Sequence, residues 1–82
     1  MPNISVEGYR MGFYSDDVLK GEPIHVHVQR GGQDVKYWLE SPLREAYNRG
    51  YKKSELRHIR ALIEDNRQIL VDLWNDTERK IR

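Results

Sequence analysis

Two alternating runs flank a glycine pair, and no other stretch of the chain limits its folding as much. Ile24-His25-Val26-His27-Val28-Gln29 and Asp34-Val35-Lys36-Tyr37-Trp38-Leu39-Glu40 stand on either side of Arg30-Gly31-Gly32-Gln33. Side chains alternate between the two faces of a strand, and Gly-Gly supplies the positive φ of a tight hairpin turn. With Gly31 and Gly32 as the turn, Val28 opposes Val35, Val26 opposes Tyr37 and Ile24 opposes Leu39. His27 then opposes Lys36, and His25 opposes Trp38, on the other face. A slip of one residue would mix apolar and polar residues on both faces, so the pattern selects this register.

The flanking segments are read around that hairpin. Tyr9, Met11 and Phe13 alternate with Arg10, Gly12 and Tyr14, predicting a strand joined to Ile4–Val6 through a bend near Gly8. Residues 15–23 carry Ser15, Asp16, Asp17, Gly21 and Pro23 and are expected to form a mobile polar loop. Ser41-Pro42 interrupts the second hairpin strand, because proline lacks a ladder donor. Residues 43–48 fit either a short edge strand or an irregular turn, followed by the turn signal Asn48-Arg49-Gly50. Tyr51 is expected to pack onto the core.

Ser54 reads as a helix N-cap with Glu55 behind it. Leu56, Ile59, Ile63, Leu70, Leu73 and Trp74 follow helical spacing, with Leu62 and Ile69 widening the stripe. One unbroken helix would overhang six-residue strands, and Asp65-Asn66-Arg67-Gln68 offers a capping-box pattern. Two helices broken near 65–66 are therefore expected. The fold class predicted is α+β: an antiparallel sheet of three or four strands packed against two C-terminal helices. Residues 1–82 form one domain, mainly β over 1–51 and helical over 52–82.

Composition narrows the classes of function. The chain has no cysteine, which removes disulfides and thiolate metal sites and favours a cytoplasmic location. Its start lacks the basic and apolar regions of a signal peptide. No run approaches the ~20 apolar residues of a membrane span, so no membrane partner is expected. Net charge is only +1, which does not by itself point to nucleic acid. Residues 44–60, however, place Arg44, Arg49, Lys52, Lys53, Arg57 and Arg60 against only Glu45 and Glu55. Such a run is either a solvated helix face or a surface for an acidic partner or a nucleic-acid backbone.

The histidine pair is where chemistry concentrates, since imidazole serves both metal binding and proton transfer near neutral pH. A metal site would need a third ligand. Candidates are Glu40, Asp16, Asp17 and His58, but helical phase turns His58 to solvent, and Glu40 lies beyond the end of the His strand. No residue is assigned as a metal ligand, and no cofactor is expected. Acid–base chemistry would use His25 and His27 with Lys36 as the cation, and Arg30 or Arg10 nearby, which suits cleavage of an RNA phosphodiester without metal. Tyr14 could assist. The remaining reading is a partly exposed sheet face used for protein binding, marked by Trp38.

The order of motifs resembles a family of small bacterial proteins known as domain of unknown function four-one-six-zero. The matching residues are Met1-Pro2-Asn3-Ile4, Gly8-Tyr9-Arg10 to Phe13-Tyr14-Ser15, and Glu22-Pro23-Ile24-His25-Val26-His27-Val28. They continue with Lys36-Tyr37-Trp38-Leu39, Asn48-Arg49-Gly50-Tyr51, Glu55-Leu56 to Ile59, and Glu64-Asp65-Asn66 leading to Trp74. Glu45 departs from the pattern, at a position expected to be apolar. The resemblance implies a small domain of strands and helices. It also implies a neighbour-encoded small protein as partner, in an arrangement like a toxin–antitoxin pair.

One function leads and two stand as alternatives to it. The first is a module of a two-gene, toxin–antitoxin-like system that binds a cognate protein. It would use the His25/His27/Trp38 face or the basic segment, with Arg30 adding to the cations. The second is a metal-independent ribonuclease, and the third a small metal-binding domain. Nucleic acid and a second copy of the chain are further possible partners, and whether the protein is an enzyme is left open.

Overall fold

The computed structural model describes residues 1–82. Its centre is an antiparallel meander of five strands in the order of the chain: β1 (Asn3–Val6), β2 (Tyr9–Gly12), β3 (His25–Arg30), β4 (Gln33–Trp38) and β5 (Arg44–Arg49). Three helices accompany it: α1 (Ser15–Leu19), α2 (Lys53–Asp65) and α3 (Arg67–Ile81). The class is α+β, but the expected three or four strands and two helices are corrected to five and three. The added elements are α1, which lies where a mobile loop is expected, and β5, on which the sequence is ambiguous. None of the helices is long and apolar enough to cross a membrane.

The central hairpin has the register that alternation dictates. Val28 faces Val35, Val26 faces Tyr37, His27 faces Lys36 and His25 faces Trp38. A bond from the Leu39 amide to the Ile24 carbonyl (3.0 Å) prolongs the pairing by one residue. Gly31 takes a φ of 60° and Gly32 does not take a positive φ, the pattern of a turn with glycine required at its first central position. In β5 a register shift opposite Lys36 and Tyr37 leaves Ala46 unpaired, so Tyr37 faces Glu45 and Lys36 faces Tyr47. The bulge lets Glu45 sit exposed at the sheet edge.

Gly12 marks the tightest backbone approach. A Cβ there would come within 2.2 Å of the Pro2 carbonyl oxygen and 2.6 Å of Asn3 Cβ. These neighbours belong to the segment carrying β1, which pairs only with β2. Gly12→Ala is therefore expected to push β1 off the sheet and destabilise the fold by about 1–3 kcal/mol, the usual cost of overpacking. Urea unfolding checks this, and faster amide exchange at Ile4 and Val6 would locate the damage.

One face of the sheet carries the main core. Met11, Val26, Val28, Val35 and Tyr37 pack against Leu56, Ile59 and Ile63 of α2. α2 starts at Lys53 with Lys52 as N-cap, so Ser54 lies within the first turn rather than capping it. Asn66 breaks the helical region at φ −112°, ψ 12°, where a break is expected. The proposed capping box does not form. Asn66 Nδ2 donates to the Leu62 carbonyl (2.9 Å), and Gln68 donates to Asp72 (2.9 Å). The bend sends α3 from the main core, where Leu70 is buried, to a second cluster of Phe13, Val18 and Trp74.

Tyr9 and Tyr51 close the end of the main core, as expected for Tyr51. The Tyr9 hydroxyl donates to Glu55 (2.7 Å), and Arg30 lies over its ring at 4.2 Å and pairs with the same carboxylate. Burial first, then the bond to Glu55, push the Tyr9 pKa from 10.0 up to about 12. A group with a raised folded pKa stabilises fully below its unfolded value and loses that contribution as pH rises through the folded one. Stability is thus expected to decline between about pH 10 and about pH 12, with Tyr37 and Tyr51 acting in the same direction. Urea midpoints measured across that range should fall, and less steeply in Tyr9→Phe.

Candidate metal centre

His25 and His27 point from β3 to the sheet face opposite α2, as strand alternation requires. That face is not the partly exposed surface expected. His25 is 1% exposed and His27 6%. The cover comes from α1, which periodicity did not reveal, and from α3, whose path to this face periodicity did not give. α1 packs Val18 against Phe13 and Trp74, and the Trp74 ring meets His25 edge-on at 5.1 Å. Trp38 meets His25 at 5.3 Å from its strand partner position, and Tyr14 meets His27 at 5.1 Å.

α1 also delivers an acid. Asp17 Oδ2 lies 2.9 Å from His25 Nε2 and 3.6 Å from His27 Nε2. One ligand atom from each of Asp17, His25 and His27 falls within 4.8 Å of the others. Asp17 was one of four candidate third ligands by sequence. The other three lie elsewhere: Glu40 pairs with Arg44, Asp16 is exposed, and His58 is half-exposed and pairs with Glu7 at 3.0 Å.

The outer nitrogen of each ring is already committed. His25 Nδ1 faces the Pro23 carbonyl at 2.9 Å, and a carbonyl only accepts, so this nitrogen donates. The Tyr47 hydroxyl donates to Asp34 Oδ2 (2.8 Å), so its oxygen accepts from His27 Nδ1 (3.1 Å). Both Nε2 atoms therefore carry the lone pair of the neutral ring toward Asp17. A positive occupant, proton or metal ion, has to stand between His25 Nε2 and the carboxylate. His27 Nε2 is buried and has no hydrogen-bond partner at all. Unpaired buried polar atoms are rare, and each calls for an explanation.

The electrostatics agree with this assignment. Burial, followed by the neighbouring His25 ring, lowers the His27 pKa and favours its neutral form. For Asp17, burial works to raise the pKa, but the His25 hydrogen bond and the two imidazoles outweigh it, and the net shift is downward. An ionised carboxylate and a neutral imidazole are the ligand forms that a divalent ion takes. Two ligand atoms of a tetrahedral zinc, each about 2.1 Å from the ion, lie about 3.4 Å apart, and the 2.9 and 3.6 Å contacts bracket that spacing.

The other residues singled out by sequence are scattered. Lys36, expected to assist catalysis, lies 3.4 Å from Glu22 and stacks over Trp38 at 4.3 Å. Trp38 is half-buried beneath Lys36 and Arg44 rather than free. Arg30 is neutralised by Glu55 and Arg44 by Glu40. Arg49 lies over the Tyr47 ring at 4.7 Å, while Lys52, Lys53, Arg57 and Arg60 are exposed on and beside α2. Tyr47 and Asp34 went unnoticed in the sequence. Asp34 shares strand parity with Lys36, which was a usable signal. Tyr47 had none while β5 was undecided.

Comparison with curated proteins finds no match, and comparison with solved structures finds none. A family match does cover most of the chain, over residues 8–75, and includes α1, the His strand and Trp74. The sheet, the helices and the Asp17/His25/His27 cluster are thus features of a chain that belongs to the family described as Domain of unknown function (DUF4160).

Proposed function

We propose that this chain is a small metal-binding domain that holds one divalent transition ion on His25 Nε2, His27 Nε2 and Asp17 Oδ2. The observation that carries the reading is the unpartnered, buried Nε2 of His27, aimed at a carboxylate that His25 already shares. A metal ion gives that nitrogen its partner and replaces the proton between His25 and Asp17. Two imidazoles and one carboxylate suit zinc or ferrous iron. Pinning of each Nδ1 by an outer acceptor is the arrangement by which proteins orient metal-binding histidines.

The burial favours this reading over acid–base cleavage of RNA. None of the three surface concavities is lined by Asp17, His25 or His27. A phosphodiester would have to displace α1 or Tyr14 to touch either ring. The same cover argues against the His25/His27 face as a docking surface for a cognate protein, the reading that the toxin–antitoxin resemblance suggests.

The test is elemental analysis of protein purified without a histidine tag, followed by calorimetric titration of the chelator-stripped chain with zinc. One ion per chain is expected. At free zinc ~100-fold above Kd, binding should add about 2.7 kcal/mol to the unfolding free energy. A chain that gains no ion and no thermal stability from zinc would overturn the proposal. RNA cleavage that is lost in both His25→Ala and His27→Ala would instead revive the nuclease reading.

A further inference from the structure

The exposed cations of α2 border a groove that the metal centre does not use. The groove, about 450 Å³, runs between β5 and α2 and is lined by Lys53, Arg57 and Arg60 on one side and Glu45 and Asn48 on the other. Tyr51 and Leu56 complete its lining. Arg60 also lines a second concavity with Pro42, Leu43, Ala61 and Glu64, so the two meet along the helix.

Lys53, Arg57 and Arg60 are spaced i, i+4 and i+7 and share one helical face. At 1.5 Å rise they stand about 6 and about 4.5 Å apart along the axis. None of them, nor Lys52 beside them, has a carboxylate within ion-pair distance, whereas Arg30, Arg44, Arg67, Arg79 and Arg82 all do. The acids of the chain pair with five of its other arginines and leave this row uncompensated, whereas the remaining unpaired arginines, Arg10 and Arg49, stand outside it. A row of unpaired cations along a groove is a matched surface for a polyanion.

We infer that the β5–α2 groove binds the phosphodiester backbone of a nucleic acid through Lys53, Arg57 and Arg60. The alternative polyanion is an acidic peptide, which would bind most strongly by adding a strand to β5. That edge is poorly suited to strand addition. The Ala46 bulge interrupts its ladder, and Arg44, Glu45 and Arg49 line it with charge. The groove also lacks an exposed aromatic ring for stacking bases. Recognition is therefore of the backbone, with little sequence preference.

Fluorescence anisotropy of the full chain with a labelled mixed-sequence RNA strand, the matching duplex DNA and a polyglutamate peptide tests the inference. Binding to one or both nucleic acids is expected, with log K falling linearly in log salt between about 50 and about 200 mM. Three backbone contacts give a slope of roughly −2 on a single strand and roughly −3 on a duplex, and comparison of the two arms identifies which nucleic acid is preferred. Lys53→Gln/Arg57→Gln/Arg60→Gln should remove most of that slope and weaken binding by about tenfold or more. Arg10→Gln/Lys20→Gln/Lys80→Gln, which removes the same net charge elsewhere, should leave the slope in place. Circular dichroism confirms folding. Should the triple variant misfold, Lys53→Glu/Arg57→Glu, which keeps the bond from Arg60 to the Tyr37 hydroxyl (3.4 Å), serves instead. Absence of nucleic-acid binding at low salt, equal losses in both triple variants, or tighter binding of polyglutamate would each overturn the inference.

Discussion

Zinc affinity is expected to drop by at least ~100-fold in Asp17→Asn and in His27→Ala, above the range that outer hydrogen-bond partners of metal sites command. Asp17→Asn keeps the shape of the side chain and removes the only negative ligand. His27→Ala removes the nitrogen that has no other partner. Tyr47→Phe touches no ligand atom. It deletes only the hydroxyl that accepts from His27 Nδ1 and donates to Asp34. Its expected loss is about 10–100-fold, because the ring keeps its place but not its enforced tautomer. Isothermal titration of chelator-stripped proteins measures all three. Full affinity in Asp17→Asn would remove the carboxylate from the centre, and full affinity in Tyr47→Phe would mean that packing alone orients His27.

Unfolding free energy is expected to fall by about 3–5 kcal/mol in Trp74→Ala, the cost of deleting a buried aromatic ring. Trp74 is 3% exposed and packs on Phe13 at 4.8 Å and on His25 at 5.1 Å. It is the residue of α3 that closes the histidine side of the sheet. Its loss should loosen α1 and with it Asp17, so zinc affinity should decline although no ligand changes. Trp74→Phe retains an aromatic ring and should restore most of both quantities. Urea unfolding with and without zinc separates the two effects. A stability loss with unaltered zinc affinity would show that α1 holds Asp17 without help from α3.

These expectations rest on contacts that differ in how far the sequence could foresee them. The hairpin was readable in full. Period-two alternation on both sides of Gly31-Gly32 leaves one register that keeps Val26, Val28, Val35 and Tyr37 together, and the structure has it. The helical stripe and its break at Asn66 were readable for a similar reason, since a straight helix of that length would outrun the sheet. β5 was not readable. Three of the six residues of Arg44–Arg49 are charged, and the Ala46 bulge shifts the alternation partway along. α1 was not readable either, because five residues are too few to carry a helical period. The expected N-cap at Ser54 failed because the chain enters α2 two residues earlier, with Lys52 as N-cap and Lys53 as the first helical residue.

The same division runs through the candidate site. Asp17 could be named as one of four possible third ligands, but sequence spacing could not choose among them. Its nearest ring is eight residues away, across a connection whose path depends on the packing of Val18 against Phe13 and Trp74. Partial exposure of the histidines was inferred because one layer of helices covers one face. The bend at Asn66 takes α3 around to the second face, and no local pattern encodes that.

By itself, then, the sequence determined that His25 and His27 share one sheet face opposite Lys36 and Trp38, because side-chain alternation is a property of the extended backbone alone. Tertiary structure decided that this face is closed from water, that Asp17 meets both Nε2 atoms, and that Tyr47 and Pro23 hold the rings from behind. Those contacts join residues whose separation along the chain bears no relation to any backbone period. They exist only once α1 and Trp74 have packed across the sheet.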